Sequence, residues 1–333
     1  MSSPPLTEPR PANRPAAAPP TPGGPAGTPP RRRSQSRRFA YALIAPAVLF
    51  MVVVHLLPML GGVYLSFKDL NTFTFSELFG APWNGLANYR AILDGDNPLN
   101  DGFAGAVWNT ARYTFWVVVG TIGGGLAVAL LLNRDFRGRK VARALLLTPW
   151  IVPSFVVATL WQFMWQSDVG VVNKVLVDQL GVLGDRPVWL AGDNALWAMI
   201  IPSVWRGLPL NMLLFLAALQ AIPRELDEAA AMDGAGAWRR FRHITLPLLR
   251  PLIGVQLLFG VIYSVYMFSI PYVMFGSNPG PDADLMMTFI VRQSFSNNLF
   301  GFGAAASVLL MGLMLGWVAI WYRAFRRDLE AAA

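Results

Sequence analysis

The 333-residue chain contains no cysteine and only two histidines, His55 and His243, which lie in different segments. Disulfide frameworks and thiol chemistry are thereby excluded, and no cluster with metal-ligand spacing remains, so no metal site is expected. Charge is scarce as well: 14% of residues are charged against 54% hydrophobic, with a mean hydropathy of +0.44, far from a soluble domain. No G-x-x-x-x-G-K-[ST] phosphate loop and no G-x-S-x-G nucleophile elbow occurs. No catalytic residue is assigned, the chain is not expected to be an enzyme, and no cofactor is expected on it. ATP hydrolysis, if used, belongs to another polypeptide. The alternating apolar and polar pattern of a membrane barrel is also missing.

What the chain has in quantity is long apolar runs. A bilayer core needs about 20 mostly apolar residues per helix. Six such runs lie near 39–66, 105–132, 144–166, 195–219, 251–276 and 301–322. Lipid offers backbone amides no partners, so each run is expected to be a helix and the fold an all-α membrane protein with six transmembrane helices.

Arg and Lys bias toward the cytoplasm. Seven lie before Phe39, five in 133–143, five in 220–250 and three after Tyr322, which is 20 of 27. Both termini and the 220–250 loop are therefore expected on the cytoplasmic side. The net charge of +8 follows from this topology, and nucleic acid is not an expected partner. Residues 1–38 are rich in Pro, Ala and Gly and end in Arg31-Arg32-Arg33 and Arg37-Arg38, the composition of a disordered cytoplasmic tail. Its basic cluster is a topogenic anchor that also touches anionic lipid. Residues 39–325 form the membrane domain, and 326–333 a short cytoplasmic C-terminus.

Between the fourth and fifth runs lies a polar island, Glu228-Ala229-Ala230-Ala231-Met232-Asp233-Gly234, followed after nine residues by Ile244-Thr245-Leu246-Pro247. Pro223 can open a short helix there without losing a needed donor. Asp233-Gly234 supplies a turn. Residues 236–244 are expected to form a second short helix ended by Pro247.

The island's spacing, E-A-A, three residues, Gly, nine residues, I-x-L-P, resembles the E-A-A loop of ABC importer permeases at every position. The surroundings are similar to the sugar-type permeases of the maltose and glycerol-phosphate transporters. The similar stretches are Leu219-Gln220-Ala221-Ile222-Pro223, Gly85-Leu86-Ala87-Asn88-Tyr89-Arg90, Trp108-Asn109-Thr110, Pro149-Trp150-Ile151-Val152-Pro153, Gly170-Val171-Val172-Asn173 and Phe300-Gly301-Phe302-Gly303. One departure is Gly276-Ser277-Asn278-Pro279-Gly280-Pro281, where the subgroup usually has a T-x-G-G-P turn.

The resemblance implies a type I importer permease fold in a bacterial cytoplasmic (inner) membrane. It also implies a second permease subunit, two ATPase subunits carrying ATP and Mg, and an extracytoplasmic solute-binding protein. Glu228, Ala229, Ala230, Asp233, Gly234, Ala235, Ile244, Leu246 and Pro247 are then the ATPase-coupling residues. The alanines keep one surface low for close packing, the Glu228 and Asp233 carboxylates meet a basic group or cap a helix start, and Gly234 takes a backbone angle most residues disfavour.

For the substrate path, an arginine inside a span is costly, so Arg206 either contacts solute or pairs with a partner-chain carboxylate. It is grouped with Gly207 and Leu210 because the matching stretch lines the sugar pathway in maltose-type permeases. Phe259, Tyr263 and Tyr266 share a helix face, where aromatic rings either stack on sugars or pack between helices. His55, Gln162 and Gln256 are read as hydrogen-bonding across helices. The expected solute is a di- or oligosaccharide. A glycerophosphodiester or polyol is the alternative within transport, and a non-transporting scaffold or sensor the alternative outside it.

Overall fold

The computed structural model describes residues 33–77, 80–95, 97, 100 and 102–332. The proline-rich stretch before Arg33 lies outside the described residues. Among the described residues the secondary structure is helical, apart from one antiparallel bridge between Lys68 and Trp83. The chain divides into two compact units, Met1–Leu57 and Pro58–Ala333. In the first unit α1 (Arg33–Met51) runs into a π turn, Val52–Leu56, and exposes apolar side chains such as Leu43, Leu49 and Phe50. Residues 33–38, ahead of the apolar run at Phe39, are already helical.

The second unit carries α2 (Leu57–Leu65), α3 (Ala87–Leu93), α4 (Phe103–Leu132), α5 (Arg139–Ile151), α6 (Ser154–Met164) and the short α7 (Val171–Asn173). Then follow α8 (Ala195–Ala221), α9 (Arg224–Met232), α10 (Ala237–Arg240), α11 (Leu246–Val265), α12 (Ser269–Phe275), α13 (Met286–Val291) and α14 (Phe300–Ala332). Five helical stretches are long and apolar enough to cross a membrane: Tyr41–Leu65, Phe103–Leu132, Gly192–Ala221, Ala237–Phe275 and Phe300–Arg327. Taking the bent pair α5 and α6 as one span gives six.

Two expectations about helix continuity are corrected. The run near 144–166 is not one straight helix, because α5 and α6 meet at 96°. Pro153 forces Val152 out of the helical region, to φ −70°, ψ 130°. Pro247 does not end a helix. α10 passes through a π turn, Phe241–Thr245, in which the Leu246 N–H reaches Phe241 O, and continues into α11 with Pro247 in its first turn. A proline in a first helical turn lacks a donor that would have no intrahelical partner anyway. α14 continues through residues 326–332.

α4 is common to all three buried clusters. It contributes Tyr113 and Val117 beside Met199 and Ile270, Ala106 beside Phe289 and Phe302, and Ala129 and Leu132 beside Met212, Phe215 and Leu249. Its packing against α8 is built on small residues. Gly120 faces Val204, Gly124 faces Leu208, and a Cβ at Gly125 would stand 2.8 Å from Asn211 Cβ and 2.9 Å from the Met212 amide nitrogen. Between membrane helices this close approach supplies the attraction that hydrophobic burial cannot, since lipid is as apolar as the helix surface.

On the side opposite the 220–250 loop, three buried asparagines fix the connections. Asn88 donates to Ser66 O and Lys68 O at 2.9 Å each, Asn109 to Pro281 O at 2.7 Å and Asp284 O at 3.2 Å, and Asn173 to Ser167 O at 3.2 Å and Pro187 O at 3.1 Å. The Met286 N–H donates to Thr110 Oγ1 at 2.8 Å, and the Gly301 N–H to Leu70 O at 2.9 Å. Asp284 and Arg292 form an ion pair at 2.6 Å that is largely shielded from solvent. Burial raises the Asp284 carboxyl above the ordinary carboxylate range, against the opposing pull of Thr288 and Arg292.

Candidate coupling hairpin and membrane path

The polar island folds as a self-contained hairpin. α9 follows Pro223 and carries Glu225 and Asp227 in its first turn, where carboxylates meet the positive end of the helix dipole. It ends in a Schellman turn: the Gly234 N–H donates to Ala231 O at 3.0 Å and the Ala235 N–H to Ala230 O at 2.9 Å. Gly234 sits at φ +79° with open space beside it, so glycine serves the backbone angle rather than a lack of room. Arg240 Nη1 donates to Asp227 Oδ2 at 3.1 Å and ties α10 back onto α9.

Within this hairpin Glu228, Ala229, Asp233 and Gly234 are exposed, and Ala230 and Ala235 are half-buried. Ile244 and Leu246 are half-buried and Pro247 is exposed where the hairpin roots into α11. Asp233 caps no helix: the residue preceding α10 is Gly236, and no side chain bonds there. Sequence reasoning missed the hairpin's exposed apolar residues. Met232 is 89% exposed, Trp238 71% and Leu226 46%. The signal was available, since large apolar side chains in a polar connection have no reason to face water unless something covers them.

In the membrane domain three elements converge on Arg206 of α8. Its Nη1 donates to the Tyr263 hydroxyl of α11 at 2.6 Å, and its Nε donates to Val152 O at 3.3 Å. That carbonyl belongs to the break between α5 and α6, where the backbone has left the helix. The guanidinium thus has partners within its own chain, an arrangement neither sequence reading anticipated. Phe259 and Tyr263 are 64% and 54% exposed on α11, Tyr266 is 43% exposed just after its end, and Leu210 is 37% exposed on α8. Gly207 is separated from this group, since a Cβ there would meet Thr121 Cγ2 of α4 at 2.9 Å. Gln162 makes an interhelical bond as expected, to Met274 O at 2.8 Å, whereas the buried Gln256 amide has no partner among the described residues.

Helices of spanning length, a bent pair and an exposed helical hairpin between two spans define the class as a helical integral membrane protein. Residues 96–330 match the family described as "Binding-protein-dependent transport system inner membrane component". The chain belongs to that family and is a permease subunit rather than an enzyme, which sets aside the scaffold or sensor reading.

It is 34% identical over 295 residues, covering 87% of this chain and 95% of the relative, to the trehalose/maltose transport system permease protein MalF of Thermococcus litoralis. It is 36% identical over 291 residues, covering 87% and 91%, to the sulfoquinovosyl glycerol transport system permease protein SmoG of Agrobacterium fabrum. Its fold is similar to a chain in the crystal structure of a bacterial ABC transporter involved in the import of the acidic polysaccharide alginate. That match has a TM-score of 0.74 at 22% identity and covers 88% of this chain and 96% of that one.

Proposed function

We propose that the chain forms half of the translocation pathway of an ATP-driven, binding-protein-dependent importer for a di- or oligosaccharide, with both termini in the cytoplasm. A second permease completes the pathway, two ATPase subunits carry ATP and Mg, and an extracytoplasmic binding protein delivers the solute. The observation that carries coupling is the exposed hairpin, with Met232 uncovered within the Glu228–Ala235 segment and Trp238 uncovered just beyond it. An apolar surface held in shape by a Schellman turn and the Arg240–Asp227 pair fits a groove on a partner without having to fold on binding. Closure of the ATPase pair on ATP would draw such hairpins together and rock the helices rooted in them.

Solute class rests on the Arg206 group. A guanidinium and two tyrosine hydroxyls offer directed donors, and the exposed rings of Phe259 and Tyr266 offer faces for the C–H surfaces of a sugar. Both named relatives are transport components for glycosides by their names. Arg206 also favours a second reading, an anionic solute such as a glycerophosphodiester.

Mass spectrometry of the solute held by the cognate binding protein, followed by uptake of that solute into proteoliposomes, tests the proposal. A neutral di- or oligosaccharide accumulated only with ATP is expected. A phosphodiester would replace the first reading with the second, and ATP-independent equilibration would overturn both.

A further inference from the structure

α5 has two faces. Ala142 and Leu147 pack against the cluster containing Leu132, Met212 and Leu216, while Val141, Leu145 and Ile151 are exposed. α5 follows α8 inward from Gln220, with Leu147 beside Leu213 and Leu216, to the break at Val152, whose carbonyl accepts from Arg206 of α8. Between α5 and α8 lies a cavity of about 150 Å³. Its walls include Leu147, Met212, Leu213 and Leu216, with Arg143 and Gln220 as the polar members.

Arg143 is held by one bond, from Nη2 to Leu132 O at 3.1 Å, and its Nε is buried without a partner among the described residues. Charge in the segment that leads into α5 and ends at Arg143 is one-sided. Residues 133–143 hold Arg134, Arg137, Arg139, Lys140 and Arg143 against the single acid Asp135, which is already paired with Arg139 at 2.7 Å. Arg134, Arg137 and Lys140 are exposed.

We propose that this cavity is a binding site for an anionic phospholipid of the leaflet that the basic residues face. Its phosphate is received by Arg143, and part of one acyl chain lies along Leu147, Leu213 and Leu216. The combination selects this occupant. A free phosphate has no use for the leucine wall, and a zwitterionic lipid leaves the basic cluster uncompensated. The space takes a stretch of one chain rather than a whole lipid, so the rest of the molecule remains in the bilayer. Gln220 lies in the last turn of α8, just ahead of Pro223 and α9, so an occupied site braces the root of the coupling hairpin.

The test uses the full-length chain with its assembled subunits, stripped of lipid in mild detergent and titrated with phosphatidylglycerol or phosphatidylcholine under native mass spectrometry. Phosphatidylglycerol is expected to be retained preferentially. Retention should fall about fivefold in Arg143→Gln, the effect of one basic group near a membrane surface, and return in Arg143→Lys. Leu213→Trp, at a position 41% exposed, should weaken retention by filling the cavity without disturbing the fold. Equal retention of the two lipids, or phosphatidylglycerol retention unchanged in both Arg143→Gln and Leu213→Trp, overturns the proposal. So does displacement of the lipid by inorganic phosphate alone, or a photo-crosslinker at position 213 that captures the second permease instead of lipid.

Discussion

In the connections on the side opposite the hairpin Asn88, Asn109 and Asn173 are buried, and each gives its side-chain amide to two backbone carbonyls, whereas in the hairpin between α8 and α11 Glu228, Asp233 and Gly234 stand exposed. Both regions carry the motifs by which the chain resembles sugar-type permeases, so a motif match has two different physical causes here. In those connections the residue type is dictated by the fold: an asparagine amide replaces the hydrogen bonds that irregular backbone cannot make to itself. In the hairpin little in the chain needs Glu228, and what dictates its surroundings is a surface to be covered. Stability should therefore follow the asparagine-held connections, and coupling the hairpin.

The largest loss of stability is expected from Gly301→Val. A side chain there is driven into Lys68 O and the Leu70 amide, where backbone has no room to give. The variant should fail to accumulate as a folded membrane protein, measured as the monodisperse fraction in detergent.

Arg292→Met comes next. Leaving Asp284 buried and unpaired costs about 3–5 kcal/mol, read as a lower Tm. The Asp284 carboxyl is already raised by burial, and losing Arg292 raises it further, so the folded variant takes up a proton more readily than the unfolded chain. The Tm deficit should accordingly be greatest at higher pH and shrink as pH falls through the raised carboxyl range. A deficit that grows with acidity would refute this assignment.

Glu228→Ala should have the smallest effect on stability, within about 0.5 kcal/mol for an exposed helical site, while lowering ATP-driven uptake. Uptake at the parental rate would remove Glu228 from the coupling surface.

Hydropathy made the spans legible because lipid demands contiguous apolar residues, a local property of sequence. The E-A-A island was legible for a similar reason: its turn chemistry, Pro223 before α9 and Gly234 after it, is written in adjacent residues. The 96° break was signalled by Pro153, but whether a proline bends or merely opens a helix depends on neighbours that hydropathy does not see. Long-range pairing was not legible at all. Arg206 meets Tyr263, 57 residues away, and nothing local tells a solute-facing arginine from one already bonded within its own chain. The dual-carbonyl asparagines were likewise visible as motif positions without their role, since their partners lie up to 175 residues away.

The separation of fold from coupling is tested most directly by Gly234→Val, with Tm and ATPase content measured on the same purified sample. Valine at φ +79° is strained by about 1–2 kcal/mol and disrupts the Schellman turn, yet the space beside Gly234 is open. A folded chain whose Tm falls by no more than that strain allows, and from which the ATPase subunit has been lost, is the predicted result. Parental amounts of ATPase on a correctly folded variant would contradict it.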